Sequence, residues 1–318
     1  MSIQPLAINI IQRMDFMVFS SRLGLAILVL CAIPNPVWAE AALYSSTLYP
    51  TTHARGLNPS EKMHSFIEKA PSISFSGSGY TVPSAYSLRG SAGPVEDQGQ
   101  CGSCWDFSLT STLRGTLILS NSDPGRLSFN YLLNCDSRQQ ACKGGDFSAA
   151  SFLVSPMGAP SYDSDGPYVG AAGPCQSETV IASAKAYKML GTNGNNPSFQ
   201  DIAYVIGVLH KPVTIDVAAD TDFENYQSGV YNGCSSQNPR SINHMVVIEG
   251  YDCESAKDSS GNCSFNKDGN LNPEVGSWIV RNSWGYQWGD EGYITIKATN
   301  RLGLRCNSVA THALFFDL

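Results

Sequence analysis

A cysteine placed where a glycine-rich turn runs into a helix is suited to nucleophilic chemistry, and Cys104 stands at such a place. The segment Gln98 to Ser108 reads QGQCGSCWDFS. Beyond it Trp105, Leu109, Leu113 and Leu117 recur at helical spacing, as on one buried face. A helix N-terminus carries unpaired N–H groups and about half a positive charge, which favours an anion beside it. A thiol there should lose its proton more readily than a free one, and the thiolate is the reactive form. Asp106, in the first turn, suits the helix dipole but opposes a thiolate, which works to raise the thiol pKa.

Such a nucleophile needs a base to take and return its proton, and a third group to orient that base. Of the five histidines, His53 and His64 lie in a leader, His210 ends a helix, and His312 is near the C-terminus. His244 opens an apolar, strand-like run to Tyr251, and Ser277 to Asn282 (SWIVRN) forms a second one. If the two pair antiparallel, His244 and Asn282 finish at the same end. The Asn282 amide then accepts from one ring nitrogen and holds the other towards Cys104.

These residues also carry a resemblance. QGQCGSCWDFS, then NHMVVIEGY from Asn243, then IVRNSWGYQWGDEGY from Ile279, resemble the cysteine, histidine and asparagine segments of the papain and cathepsin family of cysteine peptidases. The resemblance implies Cys104, His244 and Asn282 as the catalytic set, with Gln98 as the oxyanion-hole glutamine. One such donor is typically worth on the order of 3 kcal/mol. It implies that Trp284 covers the His244–Asn282 bond. It also implies that Gly144-Gly145 is a bare strip where an extended peptide bonds to the backbone. The side-chain pocket beyond would come from Phe147, Ile215, Met245 and Thr311. The implied protein is a monomer needing no cofactor or metal; it acts on peptide or protein substrates and is open to protein inhibitors. Two other readings stand beside it. Cys101-Gly-Ser-Cys104 also reads as a thiol–disulfide exchange motif, although the preceding Gly93 to Gly99 is turn-like where such a site follows a strand. A catalytically silent binding protein on the same fold is the third.

The elements that must hold these residues are helices first and strands second. Helical patterns are expected at Ser60 to Lys69, Cys104 to Ser120, Ser128 to Asn134, Phe147 to Val154 and Phe199 to His210. The last begins with Ser198 and Asp201 at capping-box spacing. Short β-branched or aromatic runs follow at Pro212 to Ala218, His244 to Tyr251, Ser277 to Arg281, Gly292 to Lys297 and His312 to Phe316. Without regular alternation this argues for α+β in two lobes, divided near Gly191. The resemblance makes it the papain-like fold: a helical lobe (82–190) and an antiparallel, barrel-like β lobe (191–318) across an active-site cleft. The polar insert Asp252 to Gly276 sits beyond a strand of about 23 Å and so far from the cleft. Its Ser264 to Gly269 loosely matches a calcium loop, but an acidic first ligand and the Glu at the twelfth position are missing.

The N-terminal region speaks of compartment. Arg22, the apolar run Leu23 to Ile33 and then Pro34 to Ala39 have the order of a secretory signal (1–39), too short for the about 20 residues of a membrane span. Leu30 before Cys31 is bulkier than a lipoprotein acylation site wants. Residues 40–81, rich in Ser, Thr, Pro and Gly, are expected as a short propeptide or a disordered leader, without the long helical propeptide of most papain relatives. The chain has 318 residues, a net charge of −7 and no dense basic run, which argues against nucleic-acid binding. After signal removal no membrane contact is expected. Of ten cysteines, Cys31 leaves with the signal and Cys104 is the nucleophile, so an even set remains for disulfides in an exported protein. The resemblance pairs Cys101 with Cys142, Cys135 with Cys175 and Cys234 with Cys306, leaving Cys253 with Cys263. Zinc ligation by Cys135, Cys142 and neighbours would need more regular spacing.

Overall fold

The apolar face of Trp105, Leu109 and Leu113 forms the axis of the helical half, all three side chains being fully buried. The computed structural model describes residues 53–77, 79–194, 196–233, 241–272, 275–299 and 306–318. The expected signal peptide and residues 40–52 of the leader lie outside the described residues.

In chain order the elements begin with α1 (Glu61–Lys69), β1 (Ser72–Ile73), β2 (Ala85–Ser87), α2 (Cys104–Leu119) and α3 (Phe129–Cys135). Two 3₁₀ turns follow, Ala141–Lys143 and Phe147–Leu153, then β3 (Ala159–Pro160), α4 (Tyr162–Asp165), β4 (Val180–Ala182) and β5 (Ala186–Leu190). The later part holds α5 (Phe199–Gly207), β6 (Val213–Val217), α6 (Thr221–Glu224), β7 (Val230–Tyr231) and β8 (His244–Asp252). It closes with β9 (Ser277–Arg281), β10 (Tyr293–Lys297) and β11 (Ala313–Asp317).

One sheet runs in the order β1-β5-β11-β6-β8-β9-β10-β7, with β2 added on β8. It is antiparallel except for the short edge pairs β1–β5 and β10–β7. Strand β5 belongs to it although it precedes Gly191 in the chain. Two apolar clusters lie on either side of β8. Val246, Ile248 and Ile215 face one, within the β lobe. Met245 faces the other, with Phe147, Leu109 and Leu113 of the helical lobe. The period-2 alternation of a strand is what lets β8 serve both.

Helix α2 is buried on more than one side, so its polar residues have assigned partners. Thr112 and Thr214 of β6 share a hydrogen bond of 2.7 Å, and Thr214 Oγ1 donates to the Ser108 carbonyl at 3.2 Å. These bonds tie the helix that carries Cys104 to the strand beside β8. Pairing β8 with β9, Val247 opposite Arg281, then brings the start of one strand to the end of the other. Helix α1 is capped by Ser60, whose hydroxyl accepts from Met63 N at 3.2 Å, and it buries Met63 and Ile67 in the helical-lobe cluster. Each such side chain stabilises the docking by about 1.5–3 kcal/mol as an upper figure. The leader is therefore a packed part of the molecule from His53 onward. Its far end is held by Asp201 of the α5 capping box, which accepts from Ser74 Oγ at 2.9 Å as well as from Ser198 N at 2.7 Å.

Candidate active site

Cys104 is the first residue of α2, fully buried, and the free cysteine among the described residues. Cys101 is disulfide-bonded to Cys142, Cys135 to Cys175, and Cys253 to Cys263. That pairing removes the thiol–disulfide exchange motif, whose two sulfurs would be those of Cys101 and Cys104. It also occupies the sulfurs of the zinc alternative. Cys306 is disulfide-bonded too, and Cys234 lies outside the described residues.

His244 opens β8 and Asn282 follows β9, both buried. The His244 ring nitrogen Nε2 lies 2.8 Å from Asn282 Oδ1, while Nδ1 is buried with no hydrogen-bond partner. An amide oxygen accepts only, so Nε2 carries the hydrogen and Nδ1 keeps its lone pair. Trp284 stacks on the imidazole, with ring centres 4.7 Å apart, and shields this bond from water. The backbone amide of Met245, the residue after His244, lies beside the Cys104 sulfur and works to lower its pKa. Strand β8 is thereby brought to Cys104.

Gln98 is fully buried and held at both ends of its amide. Its Oε1 accepts from Ser283 Oγ at 2.6 Å, and its Nε2 donates to the Cys101 carbonyl at 2.9 Å. The same Nε2 donates to the carbonyl of Ala54 at 3.2 Å, which Trp284 Nε1 also reaches at 3.1 Å. That second acceptor was not foreseen from the sequence, for it belongs to the leader.

Residues His53 to Asn58 run through the cleft. His53 stacks on Trp284 at 4.5 Å, and the Gly56 amide also lies beside the Cys104 sulfur. Gly145 N donates to Gly56 O at 2.8 Å, Asn58 N donates to Gly145 O at 3.0 Å, and Leu57 N donates to Asn243 O at 3.1 Å. The glycines make this approach feasible. A Cβ on Gly56 would fall 1.8 Å from the Gly102 carbonyl oxygen, and one on Gly145 only 2.5 Å from the Trp105 ring. Leu57 is buried in the cluster that holds Phe147 and Met245.

Ile215 is not with those two. Its side chain joins the β-lobe cluster, because strand alternation turns it to the opposite face of the sheet. Asp216 stands opposite Met245 and hydrogen-bonds the ring of His312. Thr311 spends its hydroxyl on the Ser308 carbonyl at 2.9 Å.

Burial sets the protonation of the site. It pushes the Cys104 thiol up to about 12 from 9.0, with backbone amides of Met245, Gly56, Trp105 and Cys104 itself pulling the other way. The expected depression at a helix N-terminus is thus outweighed by desolvation, since the leader excludes water from the sulfur. Burial likewise lowers His244 to about 4, the Asn282 bond opposing it and the nearby Arg55 and His53 adding to it. Asp106 is also pushed well above the usual carboxylate range by burial, which weakens the charge it sets against the thiol. In this state the cysteine and histidine are both neutral.

Residues 82–314 match the family model described as papain family cysteine protease. Among relatives, "Germination-specific cysteine protease 1" of Arabidopsis thaliana is 32% identical over 226 residues, covering 69% of this chain and 53% of that protein. "Vignain" of Phaseolus vulgaris is 32% identical over 212 residues, covering 66% and 52%. The chain thus spans about half the length of these relatives. Bromelain from Ananas comosus, solved with the E64 inhibitor, shares 28% identity and a TM-score of 0.57, covering 74% of this chain and 100% of that one. Procathepsin L2 of Tenebrio molitor has a TM-score of 0.66 at 24% identity, covering 84% and 79%, a likeness of fold. The architecture is the two-lobe α+β fold of these proteins.

Proposed function

Because the chain belongs to the papain family of cysteine proteases, we propose that it hydrolyses peptide bonds with Cys104 as nucleophile and His244 as base and acid. Asn282 orients the imidazole and Gln98 is the oxyanion donor. The observation that carries this reading is the His244 ring itself. One nitrogen is fixed by Asn282, and the other is left without a partner on a strand that touches the sulfur. In the reaction Nδ1 takes the Cys104 proton and the sulfur attacks the substrate carbonyl. The carbonyl oxygen becomes an oxyanion facing Gln98 Nε2 and the Cys104 amide. Nδ1–H then protonates the leaving amine as the C–N bond breaks, giving a thioester. Nδ1 then takes a proton from water as the water oxygen attacks the thioester, the C–S bond breaks to release the carboxylic acid, and Nδ1–H returns the proton to sulfur. The silent-binding alternative has nothing to recommend it, since no member of this set is substituted.

In the same reading the leader is an inhibitory propeptide. The imidazole that protonates the leaving amine, with Trp284 stacked on it, marks the leaving-group side of the cleft. The Gly144-Gly145 strip then marks the acyl side, so a substrate runs N to C from the strip towards Trp284. The leader runs the other way, with His53 on Trp284 and Asn58 on Gly145. It presents an amide, not a carbonyl, to the sulfur, and keeps the nucleophile protonated by excluding water. The disulfides and the apolar run near the N-terminus support an exported, oxidising compartment. Turnover of a fluorogenic dipeptide amide by wild type, Cys104→Ala and His244→Ala tests the mechanism. Equal rates from all three would overturn it.

A further inference from the structure

Between Ala54, whose carbonyl faces Gln98, and Gly56, whose amide faces the Cys104 sulfur, the leader places Arg55. The Arg55 guanidinium ion-pairs with Glu224, the last residue of α6. The Glu224 side chain is only 5% exposed, and among the described residues no other group hydrogen-bonds its carboxylate. Its backbone is fixed independently, because Trp288 Nε1 donates to the Glu224 carbonyl at 2.9 Å. The carboxylate is therefore held in place while its counter-charge among the described residues sits on a segment that the proposed activation removes. With the leader gone the carboxylate faces the opened cleft without its ion-pair partner, and a basic side chain in the same place restores the charge-assisted bond.

The position of that place in the reaction follows from its neighbours. Phe223, adjacent to Glu224, packs edge-on against His244, with ring centres 6.4 Å apart, and against Trp284 at 5.8 Å. That is the side on which the imidazole hands its proton to the departing amine. Arg55 is also the immediate neighbour of the residue at the sulfur. We propose that Glu224 makes the leaving-group side of the cleft a site for a basic side chain, so that the mature enzyme prefers Arg or Lys directly after the scissile bond. This rests on the peptidase reading above. The leader's Arg55 occupies the site as a built-in stand-in for that substrate residue.

The test uses internally quenched peptides that differ only in the residue after the scissile bond (Arg, Lys, Gln or Glu), with leader-processed wild type, Glu224→Gln and Glu224→Arg. A charge-assisted hydrogen bond predicts kcat/KM about tenfold higher for Arg than for Gln in wild type, shrinking with added salt. The Arg-to-Gln ratio falls to about one in Glu224→Gln, and Glu224→Arg shifts the preference to the Glu peptide. An Arg-to-Gln ratio near one in wild type, or one unchanged by Glu224→Gln, overturns the proposal. A second readout does not depend on turnover. A labelled His53–Asn58 peptide should bind processed Cys104→Ala protein about tenfold more tightly than its Arg55→Ala version, and Glu224→Gln in that background should erase the difference. Equal binding of the two peptides overturns the site. Absent cleavage of every peptide together with intact Arg-dependent binding would instead overturn the peptidase reading alone.

Discussion

If the leader keeps Cys104 inert by drying it, displacing the leader must change how fast the thiol can be alkylated. Gly56→Val is the perturbation of choice, because the new Cβ would fall 1.8 Å from the Gly102 carbonyl oxygen, a backbone atom that cannot step aside. The thiol of the intact chain lies at about 12, against an ordinary 9.0. At any pH below both values this lowers the thiolate fraction about a thousandfold. A more basic thiolate is intrinsically more nucleophilic, which returns roughly a factor of twenty over three pKa units. The net effect is a rate about fiftyfold slower in the intact chain, before steric exclusion of the reagent is counted. Iodoacetamide labelling followed by peptide mass spectrometry reads Cys104 alone. The sign is also testable: between pH 7 and 10 the intact chain should keep accelerating throughout, while Gly56→Val levels off at lower pH. If the two proteins label within twofold of each other across that range, burial by the leader is not what restrains the sulfur.

Three other outcomes follow from named contacts. Asn282→Ala removes the acceptor that fixes the His244 tautomer, so kcat should fall about a hundredfold while KM moves little, as steady-state kinetics on the processed enzyme would show. Asp106 has its folded pKa raised by burial above the unfolded 3.8, so the folded state binds the extra proton and stability declines as pH rises above 3.8. Asp106→Asn should therefore raise the melting temperature more at pH 8 than at pH 5, in calorimetric scans at the two values. Replacing Cys253 and Cys263 together by Ser opens a loop with a sequence separation of 10, costing about 2–3 kcal/mol in chain entropy. Because that loop closes outside the catalytic residues, the cost should appear in urea midpoints and not in kcat.

Much of the scaffold was legible because its signals are local. The stripe Trp105, Leu109, Leu113 reads as a helix with one sheltered face, and the β-branched runs at 212–218, 244–251 and 277–281 read as strands. The meeting of His244 with Asn282 followed from hairpin geometry. What stayed hidden is what depends on partners distant in sequence. Strand β5, AYKML, is short and interrupted by a lysine, and only pairing with β11 makes it a strand. Ile215 and Asp216 could not be told apart as pocket residues, because a slip of one position in a strand exchanges its two faces. The strand order that settles it needs the Asp216–Met245 register. The passage of His53 to Asn58 through the cleft left no sequence signal, since its anchoring bonds come largely from backbone amides and carbonyls that any residue supplies. Glu224 was one acid among many until Arg55 was seen against it.

The same burial explains why a single segment can impose two independent restraints. Reversed polarity denies the sulfur a carbonyl in the right place, which is a matter of geometry. Desolvation denies it a negative charge, which is a matter of solvation, and acts on His244 in the complementary direction by lowering its pKa to about 4. Neither restraint depends on the other. A leader that slipped in register would still exclude water, and a leader that admitted water would still run backwards. On the proposed function, releasing the enzyme requires the segment to leave, not merely to loosen. The contacts that decide this are the buried Met63 and Ile67 of α1 together with the Arg55–Glu224 pair. The first two hold the leader by area, and the third holds it by charge at the point where the leaving group of a substrate must later sit. On this argument the residue that fastens the inhibitor is the one that later selects the substrate.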